Sequence, residues 1–146
     1  GMHGTETYTM GLHKTQENLE IAQRENASIF LEKEHETKYD GFDPNAPESY
    51  ILFSLYQNAF MHNSMKLADK IEKQFKTKVK RHSRGVKQAG FLVLWKTSMP
   101  SVLVETGFLT DSSDAAFLTN TDNRQLMAEG IYEAIVEYKN EIEDKN

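Results

Sequence analysis

"SVLVETGFLT", residues 101–110, decides how the rest of the chain is read. Val102, Leu103 and Val104 form a short apolar run with β-branched residues and read as a buried strand. Glu105 puts a carboxylate where that run stops, and Thr106 and Gly107 turn the chain. In open α/β sheets, ligands bind outside the carboxyl ends of strands. A carboxylate leaving a buried strand is partly desolvated, which raises its pKa and suits proton transfer near neutral pH. The same residues also fit a bland role, an acid that is solvated or accepts hydrogen bonds from the Thr106–Gly107 turn. Glu105 therefore becomes a site only with an electrophile, a metal or a second acid beside it.

Working outward toward the C-terminus, Asp111, Ser112 and Ser113 offer caps for a short helix through Leu118. Thr121 or Asp122 is expected to cap a last helix, in which Met127, Ile131, Ala134 and Tyr138 make an apolar stripe. Toward the N-terminus, Pro100 punctuates, and "FLVLW", 91–95, reads as another strand. "KTKVKRHSRGVKQ", 76–88, reads as a basic link, either solvated or an anion-binding rim. Ser49 is expected to cap a long helix to about Thr77. Phe53, Tyr56, Phe60, Leu67, Ile71 and Phe75 share one stripe of it, with Ser64 in the one polar place. Leu52, Leu55 and Ala59 lie on the opposite side, so its first half is expected to be buried on two faces. Residues 32–48, polar and carrying Pro44 and Pro47, read as a loop. Thr15 opens a helix running to Ile29, with Leu19, Ala22 and Ile29 on one face. Residues 4–10 alternate Thr5, Thr7 and Thr9 with Glu6, Tyr8 and Met10, a strand that Gly11 ends. The order β, α, α, β, β, α, α predicts an α/β fold with a mixed or parallel sheet flanked by helices.

A chain of 146 residues suits one domain with a real core. Its formal net charge of −5 gives nucleic-acid binding no support. Without cysteine, disulfides and thiolate metal sites are excluded. No apolar stretch approaches the roughly 20 residues of a membrane span, and no signal peptide is visible. Gly1 before Met2 resembles a cloning scar, so residues 1–3 read as a tag remnant and 4–146 as one domain. A strand at residue 4 opens that domain mid-fold, and the chain is expected to be a fragment of a longer protein.

The metal candidates are His3, His13, His35, His62 and His82, and no two form H-x-x-H or another tight ligand spacing. His62 reads as packed or half-exposed on its helix and His35 as solvated. His82 lies among Lys80, Arg81 and Arg84, where a divalent cation is disfavoured. No residue of this chain is expected to be a metal ligand. Glycine spacing for a phosphate loop is absent, and no serine sits in a nucleophile elbow.

"SRGVKQAGFLVLWKTSMPSVLVETGFLTDSSDAAFL", 83–118, resembles the C-terminal half of the zinc-dependent N-acetylmuramoyl-L-alanine amidase catalytic domain. The family pattern is R-x-x-K-Q-A, a strand ending V-L, a loop with M-P, then V-L-V-E-x-G-F-L. It is matched here by Arg84, Lys87, Gln88 and Ala89, by Phe91, Val93 and Leu94, by Met99 and Pro100, and by Val102 to Glu105 with Gly107, Phe108 and Leu109. "GTETYTMG" and "QNAFMHNSMKLADKIEKQF" resemble the strand and long helix that precede that block. The resemblance implies cleavage of the amide between the lactyl group of N-acetylmuramic acid and the L-alanine of the peptidoglycan stem peptide. It implies one zinc that activates water, with Glu105 as general base and acid. The family's ligands are two histidines and a glutamate, in G-H-G and S-I-H-x-N motifs and on a helix, and none of these motifs occurs here.

The chain alone is accordingly expected to be inactive and to hold no zinc, and the complete protein to work in the cell envelope on peptidoglycan. Some relatives carry an inserted helical segment that covers the zinc site, and residues 12–48 are a candidate for it; an ordinary packing helix with a loose loop is the commoner case. The rival reading is a non-catalytic remnant that binds cell-wall fragments or a partner protein. Self-association through an exposed sheet edge is a third expectation.

Overall fold

A strand that is polar and yet wholly inside forms the centre of the protein. β1 (Thr5–Met10) is buried at all six positions, although four of them are threonine or glutamate. The computed structural model describes residues 1–11, 15–39, 42, 43, 46, 48, 49, 51, 58–95 and 97–144. Along the chain follow α1 (Gln16–Asn26), a 3₁₀ turn (Ala27–Leu31), the single-turn α2 (His35–Lys38) and α3 (Asn58–Thr77). Then come β2 (Ser83–Ala89), a 3₁₀ turn (Leu92–Leu94), β3 (Leu103–Glu105), α4 (Ser112–Thr119) and α5 (Thr121–Glu143).

The sheet has the order β2-β1-β3, with β1 parallel to β2 and antiparallel to β3. It is a mixed sheet flanked by helices, as the pattern of elements predicts. The strand next to β1 is not where its apolar content placed it, however. The supposed basic link is β2, and "FLVLW" is a 3₁₀ turn. Arg84 and Lys87 can enter a strand because Glu6 on β1 pairs with both and Glu17 with Arg84. Phe91, Leu92 and Leu94 are buried without a ladder because Asn26 stands in for one. Its Nδ2 donates to the Gly90 carbonyl (2.7 Å), and its Oδ1 accepts from the Leu92 N–H (2.8 Å). β3 is also shorter than expected, three half-buried residues at the sheet's edge.

One face of the sheet packs on α1 and the 3₁₀ turns through Tyr8, Met10, Ala22, Ile29, Ala89, Phe91, Leu92 and Leu94. Tyr8 meets Phe91 edge-on at 4.9 Å between centroids. A second cluster, Ile71, Phe75, Val79, Met127 and Ala134, joins α3 to α5. The Ile71–Phe75 part of the α3 stripe and the Met127–Ala134–Tyr138 stripe of α5 are buried as their spacing predicts. Phe53, Tyr56, Leu52, Leu55 and the start of the long helix lie outside the described residues. Thr15 caps α1, accepting from the Asn18 N–H (3.2 Å), and Asp111 caps α4. α5 is capped by Asn120 rather than Thr121 or Asp122, because Asn120 holds the extended cap backbone and accepts from the Asn123 N–H (3.0 Å). Among the described residues, no helix is long and apolar enough to cross a membrane.

Candidate active site

β3 ends on Glu105, and its pairing with β1 sets Glu105 directly opposite Glu6. Residues opposite one another in an antiparallel pair send their side chains out on one face. Both carboxylates line a cavity of about 430 Å³, closed on its other side by Ile21, Arg24 and Glu25 of α1 and by Phe108. The two differ completely in surroundings. Glu6 is 1% exposed, and both its oxygens are engaged. Oε2 accepts from Arg84 Nε (2.7 Å) and Lys87 Nζ (2.6 Å), and Oε1 accepts from the Tyr8 hydroxyl (2.7 Å). Burial works to raise the Glu6 carboxyl, but the hydrogen bonds from Lys87, Arg84 and Tyr8 hold it below the usual carboxylate range. The Tyr8 phenol is driven far above its ordinary value by burial and by that anionic neighbour.

Glu105 is half-buried, and among the described residues none donates it a hydrogen bond or forms an ion pair with it. Burial, then the charges of Glu25 and Glu6, push its carboxyl above the ordinary range, with Arg24 opposing weakly. A carboxylate opening into a cavity with free acceptors and a raised proton affinity can take a proton from water and hand it on.

A backbone device brings two cations to one anion. β1 and β2 slip register between Thr5 and Thr7, so Thr5 pairs with Ser83 but Thr7 pairs with Val86. Gly85 takes the extra place at φ +83°, a conformation glycine adopts without strain. Arg84 and Lys87, three apart, would otherwise point to opposite faces; the bulge turns both toward Glu6. On the opposite face Glu72 of α3 accepts from Thr5 (3.0 Å), Thr7 (2.7 Å) and Ser83 (2.6 Å) hydroxyls.

The loop after Glu105 is fastened by Asp114. Its Oδ2 accepts from the Gly4 N–H (2.8 Å) and the Phe108 N–H (2.9 Å), and its Oδ1 pairs with Arg81. Gly4, at φ +95°, has no room for a side chain: a Cβ there would lie 2.2 Å from the His82 carbonyl oxygen.

The sequence reading isolates Glu105 but misses the groups around it. Glu6 is legible in retrospect, as one acid on the strand face shared with Tyr8 and Met10, which demands a cation. Reading 76–88 as a link hides the two cations that answer it. The histidines do not converge. His3 stacks on His82 (4.9 Å), His35 lies edge-on to Phe30 (5.5 Å) and His62 is exposed rather than packed. His13 lies outside the described residues. Among the described residues no three His, Asp or Glu side chains are placed to hold a metal ion, so these residues do not fit a zinc site.

A sequence profile described as N-acetylmuramoyl-L-alanine amidase matches residues 1–137. The chain is 36% identical over 126 residues to N-acetylmuramoyl-L-alanine amidase LytC of Bacillus subtilis, covering 86% of this chain and 24% of that one. It is 41% identical over 88 residues to N-acetylmuramoyl-L-alanine amidase AmiA of Escherichia coli, covering 60% of this chain and 30% of that one. It thus spans less than a third of these relatives' lengths. Its fold superposes on the N-acetylmuramoyl-L-alanine amidase from Clostridium difficile 630 with a TM-score of 0.58 at 21% identity, covering 96% of this chain and 50% of that one. Amidase AmiC2 of Nostoc punctiforme gives 0.54 at 22%, with 94% and 49% covered.

Proposed function

Since the chain belongs to the N-acetylmuramoyl-L-alanine amidase family, we propose that it forms the acid–base half of a peptidoglycan hydrolase, with Glu105 as the proton-transfer carboxylate. The bond cut is the amide between N-acetylmuramic acid and the L-alanine of the stem peptide. The observation that carries this is the contrast at the β1–β3 pair, where Arg84, Lys87 and Tyr8 engage both oxygens of Glu6 while no described residue engages the Glu105 carboxylate facing the cavity. Glu105 takes a proton from water as its oxygen bonds to the scissile carbonyl carbon. It then delivers that proton to the alanine nitrogen as the C–N bond breaks. The family is in general zinc-dependent. The described residues offer no such site, so the metal-holding groups of an active protein belong elsewhere in it. Relatives are named as cell wall amidases, which supports work in the envelope.

The test is release of stem peptide from purified peptidoglycan by the chain extended with a ligand-bearing upstream half. Glu105→Gln should lower the rate by about 10²- to 10⁴-fold, the usual worth of a positioned acid–base group. Retained activity refutes the assignment. Residues 12–48 supply a second element of this reading. Ile21, Arg24 and Glu25 of α1 line the Glu105 cavity, and Glu17 meets Arg84 at 3.4 Å, which supports a covering role for α1. Deleting residues 15–47 from the active protein should raise its rate, and an unchanged rate sinks the covering role.

A further inference from the structure

Glu6 has no direct part in the hydrolysis described above, yet it is the most heavily engaged side chain at the site. It is buried, directly opposite Glu105 across β1–β3, and shares its cavity. The charged and titratable groups around the pair are Tyr8 from β1, Glu17, Arg24 and Glu25 from α1, and Arg84 and Lys87 from β2. Arg24 is spent on Glu25 (3.2 Å). Arg84 and Lys87 are the strong cations of this face, and both end on Glu6. Formal charges of Glu6, Glu17, Arg84 and Lys87 sum to zero, and Glu6 is the member that touches both cations. Without it, two half-buried cations would stand one strand away from a carboxylate that has no partner among the described residues. They would pair with Glu105, fix it as an anion and remove it from proton transfer.

The structure assigns Glu6 a positioning role: it occupies Arg84 and Lys87 and thereby keeps Glu105 unpaired and able to carry a proton. The role rests on the reading of Glu105 as the proton-transfer carboxylate. The bulge at Gly85 belongs to the same device, because it brings both cations to Glu6's side of the sheet.

The experiment is a ¹³C NMR titration of the Glu105 side-chain carboxyl in the full chain, the resonance assigned by its loss in Glu105→Gln. Glu6→Gln should lower the Glu105 midpoint by about one pH unit, the size expected at an effective dielectric of about 20 for an uncompensated charge on β2, two strand spacings or roughly 10 Å from β3. In Glu6→Gln/Lys87→Met, with one cation gone, the midpoint should return toward the wild-type value. An unmoved midpoint in folded Glu6→Gln overturns the role. If Glu6→Gln does not fold, Lys87→Met alone decides: the midpoint should rise, and a fall or no change overturns the role. The titration needs no hydrolysis. Loss of activity in Glu105→Gln tests the catalytic reading separately, so the two can fail independently.

Discussion

Replacing Asp114 by alanine should cost about 4 kcal/mol of stability, well above the cost of losing a helix cap. Asp114 is fully buried and holds three segments together: Gly4 ahead of β1, Phe108 after β3 and Arg81 ahead of β2. Alanine leaves one buried and one partly buried N–H group without an acceptor, the buried one worth about 1–3 kcal/mol and the other less. It also strands Arg81, whose side chain is 13% exposed. Breaking a buried pair from one side costs about 3–5 kcal/mol. These losses do not add in full, because Arg81 lies over the Phe117 ring at 4.4 Å and keeps that contact. A net ~4 kcal/mol is a large part of the roughly 5–15 kcal/mol that holds a domain folded. Equilibrium urea unfolding, followed by far-ultraviolet circular dichroism and by the single tryptophan, Trp95, reads it directly. With a slope of about 2 kcal/mol/M the midpoint should fall by about 2 M. Asp114→Asn keeps the shape and one acceptor and should lose about half as much. Asp111→Ala, which removes only the α4 cap, should lose about 1 kcal/mol. A loss below about 1 kcal/mol in Asp114→Ala would show that the three segments are held in place by something else.

Acid should unfold the protein through the same residue. Burial works to raise the Asp114 carboxyl, but the bonds from Phe108, Gly4 and Arg81 hold it below the ordinary range. Its stabilisation is therefore full above the unfolded value near 3.9 and is lost as pH falls through the lower folded value. Melting temperature should drop steeply below about pH 4, and less steeply in Asp114→Asn. Glu105 has the opposite sign: its raised proton affinity means that ionisation opposes folding above that value. Glu105→Gln should therefore melt higher than wild type at pH 7, a gain that disappears near pH 4 in differential scanning calorimetry. Glu72→Leu leaves the hydroxyls of Thr5, Thr7 and Ser83 without their acceptor. It should cost about 3 kcal/mol by urea unfolding, and Glu72→Gln about 1–2 kcal/mol. Lys70 bridges Glu137 (2.8 Å) and Glu141 (3.0 Å) between α3 and α5. Lys70→Ala should cost about 1 kcal/mol at low ionic strength and less in 1 M salt.

The sequence shows most clearly those elements that bury a regular apolar stripe. Ile71 and Phe75 on α3, and Met127, Ala134 and Tyr138 on α5, sit inside because helical spacing leaves them nowhere else to go. Thr15 and Asp111 are readable as caps for the same local reason. The reading fails where a long-range polar group replaces a local rule. "FLVLW" has the composition of a strand, but Asn26, distant in sequence, takes up the backbone groups that a neighbouring strand would have taken. Residues 83–89 have the composition of a link, but a bulge at Gly85 and an anion on β1 make them a strand. Glu105 was legible because a carboxylate ends an apolar run. Glu6 is legible only as an acid on an otherwise apolar strand face, and its place opposite Glu105 comes from a register that only the folded sheet supplies.

β1 shows why the site is organised by polar contacts rather than by apolar packing. Of its six buried residues only Tyr8 and Met10 belong to an apolar cluster. Hydrophobic burial cannot by itself hold such a strand at the centre of a sheet, since burying Glu6 without partners would be prohibitive. The strand stays because each face has its own answer, Arg84, Lys87 and Tyr8 for Glu6, and Glu72 for Thr5 and Thr7. A one-residue slip of β1 would exchange the two faces. Glu6 would then face Glu72 across a dry interface, and Arg84 and Lys87 would face threonines. That register therefore carries unpaired buried charge, while an apolar strand could take it at lower cost. The contacts that hold Glu6 between Arg84 and Lys87 also fix the register that places it opposite Glu105, so stability and the proposed proton transfer at this site depend on one set of residues.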